Sequence, residues 1–493
     1  MSLAKKVAQN TLVQIIGKIV STILGIFSLA LMTRYLGQAG FGDYTTINTF
    51  LTFFAVIADF GLTLVTVQMI SGTKSRQEEE KILSNLFSLR LVSALLLIGL
   101  APIVVYFFPY SQLVRLGVLI TALAFVFPAL NQVLIGLFQK KLSMGRATLA
   151  EVLSRVALLV GIIISELVGG GLVGILLATL ASGLISFLLH FLLAIKFATI
   201  RFAYDFSLWK TIIHRAWPLA LTIILNLIYL RSDILLLSIF KEPEAVGLYG
   251  AAYRIIDVLA TLPFMFAGLV LPILTSAWLQ KNQATFFKVL QKSLDLMIIL
   301  AVPLLIGAQF LATPIMTLVA GTDFRPAGII LKILIFSVAA TFISTILTHA
   351  VVALNKQKKL IGFYAFTGFS SLLAYFLLIS KYSYLGAAAV AVYSEVLMMF
   401  FSVYCVFKYS HFLPNLKTLG KSLLAGLLMG ALLFIFPPAS FYSLGSLFLI
   451  LTVASLTYFI FLFLFKGFSS QDLRAIFAKS IKETTPTYRT DKL

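Results

Sequence analysis

The chain has 493 residues, of which 60% are hydrophobic and 11% are charged, and its mean hydropathy is +1.04. This composition excludes a soluble globular protein, because apolar runs of about 20 residues are typical of transmembrane helices. The formal net charge of +20 would suit a nucleic-acid-binding protein, but the positions of the positive charges favour a different explanation. Cys405 is the one cysteine, so an intrachain disulfide is excluded.

Apolar runs separated by polar turns predict about fourteen membrane-spanning helices. The loops between them are short, and none could house a separate soluble domain. We therefore expect an all-α polytopic membrane protein. The predicted spans are 11–33, 46–70, 86–108, 114–138, 147–167, 172–195, 216–239, 250–276, 293–319, 328–354, 360–380, 385–407, 419–437 and 443–465.

The positive charges predict how these spans are oriented, because cytoplasmic loops are enriched in Lys and Arg. With the N-terminus in the cytoplasm, 27 of the 38 Lys and Arg residues lie on the inner side, 5 on the outer side and 6 within spans. This split predicts an even number of spans and two cytoplasmic termini. It also explains the basic composition without nucleic acid as a partner.

Two segments have the amphipathic composition of helices that lie on a membrane surface. Residues 200–215 mix aromatic and basic side chains, with Ser207 as the expected helix N-cap, and residues 470–483 separate apolar from basic residues. We expect both to lie on the anionic inner leaflet. The alternative for each is an ordinary solvated loop.

Three short motifs recur in order along the chain at offsets of 205, 218 and 212 residues, each equal to six spans. They predict an N-lobe (1–200) and a C-lobe (201–410) of six helices each, followed by two helices and an amphipathic cytoplasmic tail (411–493). Because an even-span repeat keeps its orientation, the lobes should be related by an axis along the membrane normal, with a substrate site between them. The motif pairs are 40–44 with 245–249, 139–142 with 357–360, and 171–174 with 383–386.

Further motifs in both halves carry a resemblance to a known family. The first half contains Asn10-Thr11, Gly17-Lys18, Arg34-Tyr35-Leu36-Gly37, Phe41-Gly42-Asp43-Tyr44 and Ala58-Asp59-Phe60-Gly61-Leu62. The second half contains Arg231-Ser232-Asp233-Ile234-Leu235-Leu236, Glu244-Ala245-Val246-Gly247-Leu248-Tyr249, Ala252-Tyr253-Arg254 and Leu271-Pro272. Together these motifs resemble the Wzx-type O-antigen and repeat-unit flippases, the polysaccharide-export branch of the multidrug/oligosaccharidyl-lipid/polysaccharide (MOP) exporter superfamily.

The resemblance implies a function and a location. It implies export of undecaprenyl-pyrophosphate-linked oligosaccharide by alternating access across the bacterial cytoplasmic (inner) membrane, with other polysaccharide assembly proteins as partners. The lipid II flippase is a sister of this branch with the same number of spans, whereas drug exporters of the superfamily usually have twelve.

Basic residues inside the spans are the candidates for binding a pyrophosphate, because a cation in a wet cavity compensates its charge. Arg231 is the favoured residue, since Asp233 lies two positions on and points to a different helix face. Several others have structural alternatives, such as reaching the membrane surface. The full set of candidates is Lys18, Arg34, Arg90, Arg231, Arg254 and Lys332.

Spacing along the helices also predicts ion pairs. Arg155 follows Glu151 by four residues, so we expect a structural pair there, and Arg254 is close enough to Asp257 to form another.

Acidic residues inside the spans are the candidates for coupling to H⁺ or Na⁺, as carboxylates in transporters are. Asp59 is favoured because no cation lies within one helical turn of it along the chain. The other candidates are Asp233, Asp257 and Glu395.

Signatures of enzymes and cofactors are weak. Gly169, Gly171 and Gly174 fit a GxGxxG pattern, but they join two membrane spans with no preceding strand. The four histidines have no metal-ligand spacing, and no Walker lysine motif is present. We therefore expect a transporter and not an enzyme, with no metal or cofactor and no direct use of ATP.

Three other functions remain as alternatives. A lipid II flippase could share the fold, and so could a drug or cation exporter, although a cationic cavity disfavours cationic substrates. A polytopic glycan polymerase or ligase would typically need a large outer loop to assemble catalytic groups, and every predicted outer loop is short.

Overall fold

The computed structural model describes residues 3–73, 75–436 and 443–467, and throughout these ranges the regular structure is helical. Most helices coincide with apolar runs long enough to cross a bilayer. Polar caps mark several of their starts: Ser75, Ser111 and Asn282 each accept a hydrogen bond from a backbone N–H three residues on. The helices are α1 (Leu3–Asp59), α2 (Leu62–Ser71), α3 (Arg76–Val104), α4 (Gln112–Lys140), α5 (Met144–Leu167), α6 (Gly171–Ala194), α7 (Phe206–Phe240), α8 (Pro243–Leu279), α9 (Gln283–Ala320), α10 (Ala327–Ala353), α11 (Leu360–Ser410), α12 (Lys417–Ile435) and α13 (Leu444–Leu464).

Two of the helices each cross the membrane twice. Eleven helices in the described part of the chain are long and apolar enough to span a bilayer. Of these, α1 contains a non-helical residue at Gly37 and α11 contains one at Ser383, and each break divides the helix into two spans. With the 35-residue α7 the count reaches the predicted fourteen, so the all-α, multi-pass architecture is confirmed.

The boundaries of the first two spans differ from the prediction. The expected polar turn between residues 34 and 45 is helical except at Gly37, whose φ of 65° is a conformation that glycine adopts without strain. The second span, expected to run to residue 70, is interrupted after Asp59. There the Asp59 carboxylate accepts a hydrogen bond from the Gly61 N–H at 3.1 Å, which stabilises a turn that sequence periodicity does not reveal.

The segment between the lobes also differs from the prediction. Residues 206–215 are not a separate surface helix but the first turns of α7, whose N-cap is Asp205 and not Ser207. Lys81 lies 2.9 Å from Asp205, and its hydrogen bond lowers the pKa of that carboxyl below the usual value. The second predicted surface helix, 470–483, lies outside the described residues.

Residues 199–205 instead lie along α3 in register with a polar stripe on that helix. Side chains of α3 accept hydrogen bonds from every second backbone N–H of the segment at 2.9–3.1 Å. For the first three bonds the match is geometric, because four helical residues rise about 6 Å and two extended residues rise about 6.6 Å. The fourth bond leaves this register and goes back to Asn85. The segment is thereby fixed to the N-lobe. The bonds are Thr199 to Glu80, Arg201 to Ser84, Ala203 to Ser88 and Asp205 to Asn85.

The lobes are formed by α1–α6 and by α7–α11. They face each other mainly through α1, which contacts α7, α8 and α9. The last two helices, α12 and α13, pack on α9 in a separate apolar cluster that includes Met429, Leu447 and the fully buried Tyr458. They therefore lie outside the region where the two lobes meet. The bundle end that holds the start of α1 is called the inner end below, and the end that holds Gly37 is called the outer end.

Candidate functional site

Three neighbouring cavities lined by described residues lie between the lobes. The N-side cavity has a volume of about 700 Å³, the C-side cavity about 510 Å³, and the bridging cavity about 110 Å³. Lys18 and Met265 line both of the larger cavities. Arg254 lines the N-side and bridging cavities, and Arg231 lines the C-side and bridging ones. The three therefore adjoin one another between the lobes, which is where the internal repeat predicts a substrate site.

The N-side cavity carries an excess of positive charge. Lys18, Arg155 and Arg254 line it together with a single carboxylate, Glu151. The remaining polar groups are amides, hydroxyls and one buried imidazole, His190, whose Nδ1 lies 2.8 Å from the Ser186 carbonyl oxygen. Such a wall can compensate an anion while uncharged groups solvate a polar ligand. The uncharged polar residues are Gln14, Asn48, Asn131, Gln132, Thr148, Ser154, Thr179, Ser182 and Ser186.

The C-side cavity has no such excess. Its cations Lys18 and Arg231 are matched in number by the carboxylates Asp257 and Glu395. The Thr341 hydroxyl donates a hydrogen bond to Glu395 at 2.9 Å. The rest of its polar wall consists of hydroxyl groups and one imidazole, that of His349. The hydroxyl residues are Thr261, Ser337, Thr341, Ser344, Thr345, Thr348, Ser394, Tyr253, Tyr364 and Tyr375.

Arg231 is neutralised by a partner from the neighbouring helix. Its guanidinium donates a hydrogen bond to Asp257 at 2.9 Å and lies 5.0 Å from the centre of the Tyr253 ring. The pair is about one-third exposed to the cavity. The expected pairing of Asp257 with Arg254 is therefore wrong, since Asp257 is bonded to Arg231 and Arg254 faces the N-side cavity.

Arg90 lies away from the cavities. Its side chain is 2% exposed and forms an ion pair with Asp59, with further hydrogen bonds to the carbonyl oxygens of Asp59 and Ala129 and to the Thr63 hydroxyl. Arg90, a candidate for binding the pyrophosphate, therefore lines none of the three cavities, and it does not reach the membrane surface either. Asp59 was favoured for lacking a neighbouring cation, and the fold supplies one from α3.

The other sequence candidates occupy different places. Arg34 is exposed at the outer end, where it donates a hydrogen bond to the Leu318 carbonyl at 2.6 Å. Lys332 is half-buried on α10 and lines none of the three cavities. Asp233 is 1% exposed and accepts hydrogen bonds from the Tyr249 hydroxyl and the Ile234 N–H, each at 2.7 Å. The fold thus brings together Lys18, Arg231, Arg254, Asp257 and Glu395.

Arg155 is a cavity residue that the sequence argument set aside. Its expected ion pair with Glu151 is not among those formed by the described residues, and both side chains line the N-side cavity. Helical spacing makes the two residues neighbours, but it leaves open whether they bond. The hydroxyl stripe on α10 was also missed, although its spacing of three or four residues marks one helix face.

Known proteins resemble the chain in sequence and in fold. It matches the model of the family described as "Polysaccharide biosynthesis protein" over residues 7–278, more than half its length. The lipid II flippase MurJ in an inward closed conformation has a TM-score of 0.75 at 18% identity, covering 94% of this chain and 99% of that one. No curated protein sequence matches the chain.

Multidrug transporters share the fold as well. A MATE-family multidrug resistance transporter of the MOP superfamily in an inward-facing conformation has a TM-score of 0.64 at 15% identity, covering 81% of this chain and 98% of that one. A MOP transporter from Pyrococcus furiosus, described as having a binding pocket of reverse polarity, has a TM-score of 0.56 at 16% identity, covering 83% and 96%. The chain therefore belongs to the polysaccharide biosynthesis protein family and has the multi-pass helical fold that the lipid II flippase MurJ and MOP-superfamily transporters share.

Proposed function

We propose that the chain moves oligosaccharide repeat units linked to undecaprenyl pyrophosphate from the inner to the outer leaflet of the bacterial cytoplasmic membrane by alternating access. The observation that supports this most strongly is the set of adjoining cavities between the lobes, with three cations against one carboxylate in the N-side cavity. Charges at this depth are costly in hydrocarbon, so their presence on a cavity wall indicates a route for a polar, anionic substrate.

In this proposal the pyrophosphate occupies the N-side cavity. Lys18, Arg155 and Arg254 compensate its charge, and Glu151 limits the excess so that the anion can leave again. Charge-assisted hydrogen bonds to phosphate are about twice as strong as neutral ones, which makes these cations the main source of affinity. The lipid tail remains in the bilayer throughout.

The glycan extends into the C-side cavity. Its hydroxyl groups find matching donors and acceptors in the hydroxyl stripe of α10, and Tyr364 offers a flat apolar face to a sugar ring. Because Arg231 is already paired with Asp257, this wall adds no net charge to a neutral sugar.

We also propose that an H⁺ or Na⁺ gradient drives the cycle through Glu395. Glu395 lines the C-side cavity, where it accepts the hydrogen bond of Thr341, so an ion that enters this cavity can reach its carboxylate. Asp233 lies behind the wall, and Asp59 and Asp257 are bound to arginines. Replacing Glu395 with Gln should remove the dependence of transport on the gradient.

Complementation of a flippase-deletion strain tests the proposed function. The wild-type chain should restore surface glycan, and Lys18→Ala should not, because Lys18 lines both large cavities. Lys332→Ala is the matched control, since Lys332 is an intramembrane lysine outside the three cavities, and it should restore surface glycan fully.

Two outcomes would reject the proposal. If the wild type confers dye efflux without restoring surface glycan, the chain is a drug exporter. If it rescues only a strain depleted of its lipid II flippase, the substrate is the peptidoglycan precursor and not a polysaccharide repeat unit.

A further inference from the structure

The two lobes meet at the outer end through the backbones of α1 and α8. A Cβ atom added at Gly42 would lie 1.8 Å from the carbonyl oxygen of Pro243, and one added at Gly247 would lie 2.1 Å from the carbonyl oxygen of Gln38. Real Cβ atoms essentially never approach another heavy atom closer than 3.0 Å. Because both obstacles are main-chain atoms, neither position can accept a side chain unless the helices separate.

The contact is reciprocal. Gly247 follows Gly42 by 205 residues, and Pro243 follows Gln38 by the same 205 residues, which is the offset of the first repeated motif. Each lobe therefore presents the same glycine to the same backbone position of the other lobe, as the two halves of an isologous dimer interface do. The contact of α1 with α8 at Gly42 and Gly247 is called the crossing below. The pseudo-two-fold axis between the lobes passes through it.

The crossing lies directly above the cavity. One helical turn further inward, Thr45 and Gly250 are again 205 residues apart, and both line the bridging cavity. Towards the outer surface, Arg34 and Gln38 donate side-chain hydrogen bonds to the carbonyl oxygens of Leu318 and Asp323 in the C-lobe. The crossing thus closes the outer end of the cavity.

We propose that Gly42 and Gly247 form the outer gate of the transporter and that their lack of side chains sets the balance between its inward-open and outward-open states. The proposal rests on the alternating-access function proposed above. Small residues let helix backbones approach closely in a membrane, where packing replaces the hydrophobic effect as the source of association. An alanine at either position would oppose closure and would leave the open gate untouched.

A purely architectural role for the glycines predicts a different result. Gly161, for example, is packed within the N-lobe, where an added Cβ would lie 2.7 Å from the Ala178 Cβ. Substituting such a residue lowers stability without changing the distribution of states. The gate glycines are distinguished by joining two different lobes through equivalent positions.

A disulfide between positions 45 and 250 reports whether the gate is closed. The Cβ of a residue at 250 would lie 3.2 Å from the Thr45 Cβ, near the 3.5–4.5 Å that disulfides require. Cysteine at 45 also removes the threonine methyl group, which is the nearest obstacle at 2.7 Å. The Thr45→Cys/Gly250→Cys pair is placed in a Cys405→Ser background, and its rate of oxidative crosslinking is followed in proteoliposomes.

Gly42→Ala and Gly247→Ala should each slow this crosslinking by about tenfold, because overpacking of a close contact disfavours the closed state. Gly268→Ala is the control, because it is the same substitution in α8, the helix that contains Gly247, at a position where an added Cβ has no atom within 4 Å. It should leave the rate of crosslinking unchanged. Crosslinking should stop transport of lipid-linked oligosaccharide, and a reductant should restore it.

The proposal is overturned if Gly42→Ala and Gly247→Ala crosslink as fast as Gly268→Ala, or if transport continues through the crosslinked pair. The two variants act from opposite lobes, so if one fails to fold the other decides. Glycine-dependent crosslinking in a protein that moves no lipid-linked oligosaccharide would support the gate and reject the proposed substrate. If transport is normal and the rate of crosslinking is unchanged in Gly42→Ala and Gly247→Ala, the gate is rejected and the proposed substrate is not.

Discussion

The N-side and C-side cavities differ in whether their cations are compensated by carboxylates. On the C-side, Arg231 is bonded to Asp257 from an adjacent helix, and the wall carries as many carboxylates as cations. On the N-side, Arg155 and Arg254 face the cavity together with Lys18 and a single carboxylate. The N-lobe does contain an arginine–aspartate pair, but it is buried away from the cavity. An intramembrane cation is therefore a binding candidate only when the fold leaves its charge facing the substrate space.

The buried pair gives the largest expected effect. Arg90→Leu should destabilise the protein by about 3–5 kcal/mol, because it leaves the partly buried Asp59 carboxylate without its cation. The double variant Arg90→Leu/Asp59→Leu should recover much of this loss. Thermal unfolding in detergent measures both. If Arg90→Leu is as stable as the wild type but fails to bind substrate, the separation of structural from cavity cations is wrong.

Removal of an N-side cation should have the next largest effect. Arg254→Ala should weaken binding of undecaprenyl pyrophosphate by about 10- to 100-fold, since a hydrogen bond to a charged group contributes about 1.5–3 kcal/mol. Binding to the purified protein is measured by tryptophan fluorescence or calorimetry. Lys332→Ala serves as the control, and equal binding by the two variants would contradict the assignment of the pyrophosphate to the N-side.

The C-side pair should give the smallest effect on binding of the lipid pyrophosphate. Arg231→Ala should reduce transport, because it leaves Asp257 as an uncompensated negative charge on the cavity wall. The double variant Arg231→Ala/Asp257→Ala should transport better than the single one, while both bind undecaprenyl pyrophosphate within about threefold of the wild type. A loss of pyrophosphate binding in the double variant would show that Arg231 contacts the phosphate itself.

Much of the architecture could be predicted from the sequence because the physical cause is local. Apolar runs near the length of a bilayer crossing predict the fourteen spans, and repeated motifs predict two equivalent lobes. The element boundaries were less predictable. The helix break at Gly37 involves a single residue, and the break after Asp59 depends on one hydrogen bond from the Gly61 N–H to the Asp59 carboxylate. Neither break interrupts the hydropathy pattern.

The candidate site was predictable only in part. Intramembrane charge drew attention to Lys18, Arg231, Arg254, Asp257 and Glu395, all of which line the cavities. Helical spacing then assigned the wrong partners, because it compares residues on one helix only. Arg231 pairs with Asp257 on α8, and Arg90 pairs with Asp59 at the end of α1. Both contacts depend on how separate helices pack.

The sequence by itself determined that this protein is a membrane-embedded helical bundle with an internal repeat, since hydropathy and motif spacing are properties of the chain alone. Only the tertiary structure decided which charges are neutralised, which face the cavity, and that two glycines 205 residues apart touch across the lobes. The reason is physical. Charge compensation and backbone approach are set by distances between helices, and these distances exist only after the helices have packed.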